Sequence, residues 1–156
     1  MIVSIEVDDA GWQSIPALAE LTRSAVDATV ARVGALHENL ETAILFTDDA
    51  TMARLNAQWR GKPHATNILS FPAESIPVPE GEARPLGDIV LAWGVVAGEA
   101  QAQATALPHH AAHLIVHGLL HLLGYDHQTD AGEASMQELE RQILKELGYS
   151  HPHDRQ

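Results

Sequence analysis

The sequence predicts an α/β fold of the α+β type, in which a small four-stranded mixed sheet packs with about five helices. Strand-like segments dominate the first part of the chain, and the part after residue 93 consists of helical segments. A chain of 156 residues, 46% of them hydrophobic and 19% charged, fits one ordinary globular domain. We predict a single domain over residues 1–148 and a flexible tail over 149–156.

The first part of the chain alternates strands and helices. Residues 2–7 alternate apolar and polar side chains and are rich in β-branched residues, as strands are. A helix is predicted to follow as far as residue 34, and Ser14 with Pro16 soon after it indicates its start. A second strand is predicted at 41–47.

The next predicted helix runs to about residue 59. Thr47, Asp48 and Asp49 are suitable N-caps for it, because their side-chain oxygens accept hydrogen bonds from the first N–H groups of a helix. A third strand is predicted at 67–71, and Pro72 ends it.

A proline-rich loop over residues 73–85 separates the third strand from the fourth. Loops of this length in compact domains are usually functional or mobile. The fourth strand is predicted at 86–92. Helices are then predicted at about 94–105, 108–123 and 132–147, the last ending at Gly148.

The charge distribution limits the partners that the protein can have. A formal net charge of −12 argues against a general nucleic-acid binder, so no DNA partner is expected. Acidic residues outnumber basic ones in the whole chain, but residues 54–84 contain four basic residues and three acidic ones. This segment is the candidate surface for a polyanion, although an ordinary solvated face is the simpler explanation on charge alone.

Cysteine content and hydropathy indicate the compartment. The chain has no cysteine, which removes disulfides and thiolate metal ligands. No apolar run has the length of a membrane span, and the first residues lack the basic region of a signal peptide. We therefore expect a cytoplasmic protein with no membrane partner.

The most informative segment is 117–127, which reads HGLLHLLGYDH. His117 and His121 are four residues apart, so one face of a helix carries both. His127 would lie on the far side of a continuing helix, but Gly124 is placed to end the helix and turn the chain back. Three neutral imidazoles leave the fourth tetrahedral position of a zinc ion open, as in catalytic zinc sites.

Other interpretations of these histidines stay open. The chain has 10 histidines, so a pair at this spacing is weak evidence by itself. His113 extends the spacing backwards and competes with His127 as the third ligand. The spacing is also typical of metallopeptidases, but their chemistry needs a glutamate directly after the first histidine. Gly118 stands there, which disfavours a peptidase.

Four ordered segments resemble the YbeY family of bacterial rRNA maturation factors, which are metal-dependent endoribonucleases. Residues 117–127 are similar to the signature of that family. Residues 66–72 (TNILSFP) and 86–90 (LGDIV) resemble two of its strands, and 55–62 (LNAQWRGK) resembles the element that precedes them. The resemblance covers roughly residues 40–148, and the order and separation of the motifs make it specific.

The resemblance implies that His117, His121 and His127 hold one Zn²⁺ per chain, with water in the open position. The pKa of such a water falls towards about 7. Imidazole suits several metals, so zinc and nickel both remain open from the sequence. Asp126 is a candidate carboxylate for orienting a ligand ring, or else a residue that caps the helix exit.

The resemblance also implies catalytic and substrate-binding residues. Arg60 matches the arginine of the family motif and, with His117, is predicted to be catalytic, because a guanidinium suits bidentate contact with a phosphate. An ion pair or packing beside Trp59 is the structural alternative for Arg60. Lys62 and Ser70 are predicted to contact substrate, although a serine in a strand is also common as a plain sheet residue.

The implied function is that of a zinc-dependent, single-strand-specific endoribonuclease in rRNA processing, including the 3′ end of 16S rRNA, and in ribosome quality control. The expected partners are single-stranded RNA, the ribosomal subunit and its associated proteins. A metal-stabilised ribosome assembly factor with incidental catalysis is the alternative. A generic zinc hydrolase acting on peptides or small molecules is a third hypothesis.

Overall fold

The computed structural model describes residues 1–35, 38–74, 77–125 and 128–149. These residues form four strands, five α-helices and one short 3₁₀ helix. In chain order the elements are β1 (Ile2–Val7), the 3₁₀ helix (Ala10–Ser14), α1 (Leu18–Arg32), β2 (Leu40–Thr47), α2 (Asp49–Arg60), β3 (Ile68–Pro72), β4 (Arg84–Ala92), α3 (Trp93–Ala102), α4 (Leu107–Leu122) and α5 (Asp130–Glu146). The predicted fold class is confirmed.

The four strands form one mixed sheet in the order β1-β2-β4-β3. β1, β2 and β4 are parallel, and β3 pairs antiparallel with β4 at one edge. The parallel pairs are connected through helices, as parallel connections require. The antiparallel edge strand β3 carries Ser70, one of the predicted site residues, and packs against α4.

Side chains of β4 alternate between the two faces of the sheet. Ile89 and Leu91 belong to the main core, which α1, α4 and α5 cover. Val90 and Ala92 pack instead with Met52 of α2 in a smaller core. One face is therefore covered by three helices, whereas the thinner cover on the other face leaves a groove.

The predicted helix start at Ser14 is wrong. Ser14 ends the 3₁₀ helix, and α1 begins only at Leu18, after Ala17 adopts a left-handed conformation with φ 53°. The cause is Trp12, whose side chain is fully buried and donates from Nε1 to the carbonyl of Thr47 over 2.9 Å. Because this ring is anchored at the end of the sheet, the chain enters α1 only beyond it.

The other helices begin and end close to the predicted positions. Asp48 caps α2, accepting the N–H of Thr51 over 2.6 Å, and this hydrogen bond lowers the pKa of Asp48. Gly148 follows α5 with φ 88°. Tyr149, the first residue of the predicted tail, stacks on His109, and residues 150–156 lie outside the described part of the chain. Within the described ranges, no helix is long and apolar enough to cross a membrane.

Candidate metal centre and nucleic-acid groove

Helix α4 is buried apart from a stripe of three histidines. From residue 109 to residue 122 every residue is buried except His113, His117 and His121, which are partly exposed. Their spacing of four places them along one side of the helix. The core therefore fixes the helix, and the histidine stripe is the part of it that a ligand can reach.

The Nε2 atoms of His117 and His121 are 3.2 Å apart. Two nitrogen ligands of a tetrahedral zinc ion, each at about 2.0–2.1 Å from the metal, lie about 3.3–3.4 Å from each other. The separation of the two nitrogens is therefore close to that of two ligands on one zinc ion. The same distance suits an N–H···N hydrogen bond between the rings when no metal is bound.

Helix α4 ends as the sequence predicts. Gly124 has φ 102°, its N–H donates to the carbonyl of His121 over 3.0 Å, and the N–H of Tyr125 donates to that of Leu120 over 3.0 Å. These two hydrogen bonds define a Schellman motif, in which a left-handed glycine closes the helix. The third predicted ligand, His127, and its neighbour Asp126 lie outside the described residues.

His113 does not join the pair. Its Nε2 faces Oε2 of Glu140 at 3.2 Å. Among the residues that the structure describes, no three His, Cys, Asp or Glu side chains are grouped as metal ligands. His113 thus has a carboxylate partner in this structure, and its competition with His127 as third ligand stays a prediction.

Glu140 of α5 is a site residue that the sequence analysis missed. Its side chain is 5% exposed, and its two oxygens face Nδ1 of His117 and Nε2 of His113. Burial raises the pKa of Glu140, but the hydrogen bonds with the two histidines outweigh burial and lower this pKa from 4.5 to about 2. The available signal was a carboxylate in the otherwise apolar stripe of α5.

The position after His117 is packed against the sheet. A Cβ on Gly118 would lie 2.8 Å from Cδ1 of Ile68 and 3.1 Å from Oγ of Ser70. Glycine thus allows α4 to lie close against β3. A glutamate here would have to displace these side chains and would point towards the core, so this position does not suit a peptidase base.

The second face of the sheet carries an open groove of about 1180 Å³. Arg60 and Trp59 at the end of α2 line it, together with Ser70 and Phe71 of β3. His117, His121 and Lys62 are not among its lining residues. The structure therefore brings Arg60 and Ser70 to one groove, and places the histidine pair on the helix behind β3.

The predicted substrate contacts differ in their surroundings. The hydroxyl of Ser70 donates to the carbonyl of Gly118 over 3.2 Å, so it ties β3 to α4. Arg60 and Lys62 are exposed. Within the described chain no carboxylate pairs with the guanidinium of Arg60, which leaves it available to an anion.

Acidic side chains outnumber basic ones along the groove. Four carboxylates line it against the single guanidinium of Arg60, counting the described residues only: Glu6, Glu41, Glu74 and Asp88. A polyanion meets attraction near Arg60 and repulsion along the rest of the groove. Among the described lining residues, Arg60 is therefore the one that would attract a phosphate.

Fold and site together define a class of small α+β proteins, in which paired histidines on a core helix lie beside the edge strand of a mixed sheet. A family model described as Endoribonuclease YbeY matches residues 6–148. The chain belongs to this family, as the sequence resemblance indicated.

Curated relatives named Endoribonuclease YbeY match nearly the whole chain. That of Azorhizobium caulinodans is 43% identical over 155 residues, covering 98% of this chain and 96% of the relative. That of Bartonella henselae is 41% identical over 151 residues, covering 97% and 96%. Among solved structures, the solution structure of TM1509 from Thermotoga maritima matches with a TM-score of 0.65 over 93% of this chain and 88% of that one. At 22% identity this likeness supports the fold alone.

Proposed function

We propose that the chain is a zinc-dependent, single-strand-specific endoribonuclease that acts in rRNA processing, at the 3′ end of 16S rRNA, and in ribosome quality control. Membership of the endoribonuclease family supports the reaction class. The observation that carries the metal mechanism is the His117–His121 pair, with its Nε2 atoms 3.2 Å apart. His127 would complete the ligands of one ion per chain.

The donors present suit zinc or a similar borderline metal, because neutral imidazoles are its common ligands and the chain has no cysteine. When bound, zinc supplies Lewis acidity and activates water for attack on a phosphodiester near neutral pH. The residues of the protein hold the ion in a fixed place. His117 and His121 are anchored by a helix that is otherwise buried, so little reorganisation accompanies binding.

Arg60 is proposed to bind a phosphate of the RNA and to stabilise the charge that develops during cleavage. It is the last residue of α2, it is exposed, and it lines the groove next to β3. A guanidinium contacts two phosphate oxygens at once. Lys62 and Ser70 are proposed as weaker contacts, since the hydroxyl of Ser70 already bonds to Gly118.

Trp59 is proposed to provide the preference for single strands. Its side chain is 64% exposed and contacts Phe71 edge-on, with ring centroids 6.2 Å apart. An unpaired base stacks on such a ring, whereas a base inside a duplex does not reach it. The phosphate of that nucleotide then lies near Arg60.

The ribosomal subunit and its associated proteins are the proposed partners. A net charge of −12 and an acidic groove weaken autonomous binding to RNA. Specificity would then come from the ribosomal context, in the cytoplasm, where the RNA and the enzyme are held together.

The metal proposal is tested by elemental analysis and RNA cleavage. Wild type is expected to contain about one zinc per chain and to cleave single-stranded RNA, and chelation should abolish cleavage. His117→Ala should lose both metal and activity, whereas His64→Ala, which removes an exposed histidine, should lose neither. Undiminished cleavage by metal-free protein would contradict the mechanism.

A ribosome assembly factor is the second candidate function, and the acidic groove favours it, because four carboxylates suit a basic protein partner better than RNA. Under this hypothesis, Arg60→Ala strongly reduces cleavage in vitro but leaves ribosome maturation in cells intact. Loss of maturation together with cleavage would favour the nuclease.

A further inference from the structure

We propose that Glu140 is a positioning residue that selects the metal-binding tautomer of His117, and that His113 holds the Glu140 carboxylate in place. The proposal rests on the proposed metal site. Glu140 lies on α5, outside the motif that contains the proposed ligands. His113 is the histidine of the stripe that is not a proposed ligand.

The tautomer follows from the contact between Glu140 and His117. An ionised carboxylate only accepts hydrogen bonds, so the proton of the His117 ring lies on Nδ1, which faces Oε1 of Glu140. A neutral imidazole carries one N–H, which leaves a lone pair on Nε2. That atom is the one 3.2 Å from Nε2 of His121. Carboxylate–histidine pairs of this kind orient the ligand and raise its basicity in metal sites.

His113 occupies the other oxygen of the carboxylate. Its Nε2 lies 3.2 Å from Oε2 of Glu140. With one histidine on each oxygen, the carboxylate cannot rotate without breaking a hydrogen bond. The Glu140 side chain is 5% exposed, so water does not replace either histidine easily.

The arrangement also couples two helices to one ligand. His113 and His117 are on α4, and Glu140 is on α5, 23 positions after His117 in the sequence. The orientation of the His117 ring therefore depends on how α5 packs against α4. A ligand on the helix alone would keep more rotamer freedom and lose more entropy on binding.

Zinc affinity and ring tautomer test the proposal. We expect Glu140→Gln to lower zinc affinity about tenfold and Glu140→Ala about a hundredfold, measured by competition with a chromophoric chelator. In Glu140→Gln, the side-chain oxygen can still accept the hydrogen bond from Nδ1 of His117. The side-chain NH₂ group then faces the N–H of His113, so that two donors point at each other. Glu133→Gln is the control, because it removes the same charge from an exposed position of the same helix.

Nitrogen-15 NMR of the metal-free protein supplies a readout that does not depend on zinc. His117 is expected in the Nδ1–H tautomer in wild type and in Glu133→Gln, and to lose this preference in Glu140→Ala. An unchanged tautomer, or zinc affinity within about twofold of wild type in both Glu140 variants, overturns the proposal. If wild type binds no zinc, the proposed function fails, while the tautomer still decides the role of Glu140. If Glu140→Ala does not fold, Glu140→Gln decides.

Discussion

At the scale of single residues, neighbouring side chains of β3 connect to different parts of the site. Ser70 reaches the carbonyl of Gly118 on α4, and Phe71 contacts the ring of Trp59. Successive side chains of a strand point to opposite faces. An RNA strand that touches both Arg60 and His117 therefore has to pass around the free edge of β3.

Arg60→Ala is expected to reduce cleavage of single-stranded RNA about a hundredfold, because removing one charged donor from a developing anion has effects of this size. Zinc content and thermal stability should stay at the wild-type level, since Arg60 is exposed and lies outside the histidine stripe. The measurement is single-turnover cleavage with elemental analysis of the same sample.

The matched control for this variant is Arg54→Ala. Arg54 lies on the same helix, but its guanidinium contacts the hydroxyl of Thr51 over 3.1 Å, and it does not line the groove. Cleavage by this variant should be close to that of wild type. Equal losses of cleavage in both variants would mean that Arg60 contributes only as part of the general surface charge.

At the scale of elements, a chain of polar contacts positions β3 relative to α4. Nε2 of His110 lies 3.0 Å from Oε1 of Glu99 on α3, and Nδ2 of Asn67 donates to the same carboxylate over 3.1 Å. The side-chain oxygen of Asn67 accepts the N–H of Ile68 over 2.7 Å. The first residue of β3 is thus fixed through α3 to the helix that bears the histidines.

Local patterns were enough to predict most elements. α4 was expected at 108–123 and spans Leu107–Leu122, because its apolar positions and its closing glycine are both local signals. The start of α1 was wrong because it depends on Trp12 reaching the end of the sheet. Glu140 was missed for the same reason. Its contact with His117 forms only when α5 packs on α4, so no residue spacing within one segment predicts this contact.

Gly87 determines how closely β3 approaches β4. Its φ is 144°, and a Cβ there would meet the carbonyl of Phe71 and lie 2.8 Å from Cδ2 of Leu122. We expect Gly87→Ala to destabilise the protein by about 3 kcal/mol or more, since backbone strain and overpacking add. Chemical denaturation measures the loss.

Gly81→Ala separates the two causes. Gly81 also has a positive φ, of 89°, but no atom lies within 4 Å of the Cβ position. Gly81→Ala should lower the free energy of unfolding by only about 1 kcal/mol, which is the strain of a left-handed residue. If both variants cost the same, the close approach of β3 contributes nothing.

At the scale of the whole molecule, an acidic protein with a net charge of −12 carries its proposed phosphate contact at one exposed arginine. Few phosphates would be neutralised in such a complex, so we expect the affinity for free RNA to be low and to change little with salt. Weak binding of this kind would agree with the proposed ribosomal partners, because the particle would hold the RNA and the enzyme together.

The stability of the metal-free protein should depend on pH through Glu140. Its pKa is lowered from 4.5 to about 2 in the folded protein, so the unfolded state binds the proton first as pH falls. The stabilisation is complete above pH 4.5 and is lost as pH falls to about 2. It amounts to at most about 3.5 kcal/mol, since one pKa unit corresponds to about 1.4 kcal/mol.

Glu140→Gln removes this contribution, because an amide does not titrate. Its free energy of unfolding, measured with urea between pH 2 and pH 5, should therefore fall less steeply than that of wild type. Glu133→Gln should keep the wild-type slope, since Glu133 is exposed and contacts Gln137 instead of a histidine. Parallel curves for wild type and Glu140→Gln would mean that the carboxylate gains nothing from the two histidines on folding. The helix contact between α4 and α5 would then rest on apolar packing alone.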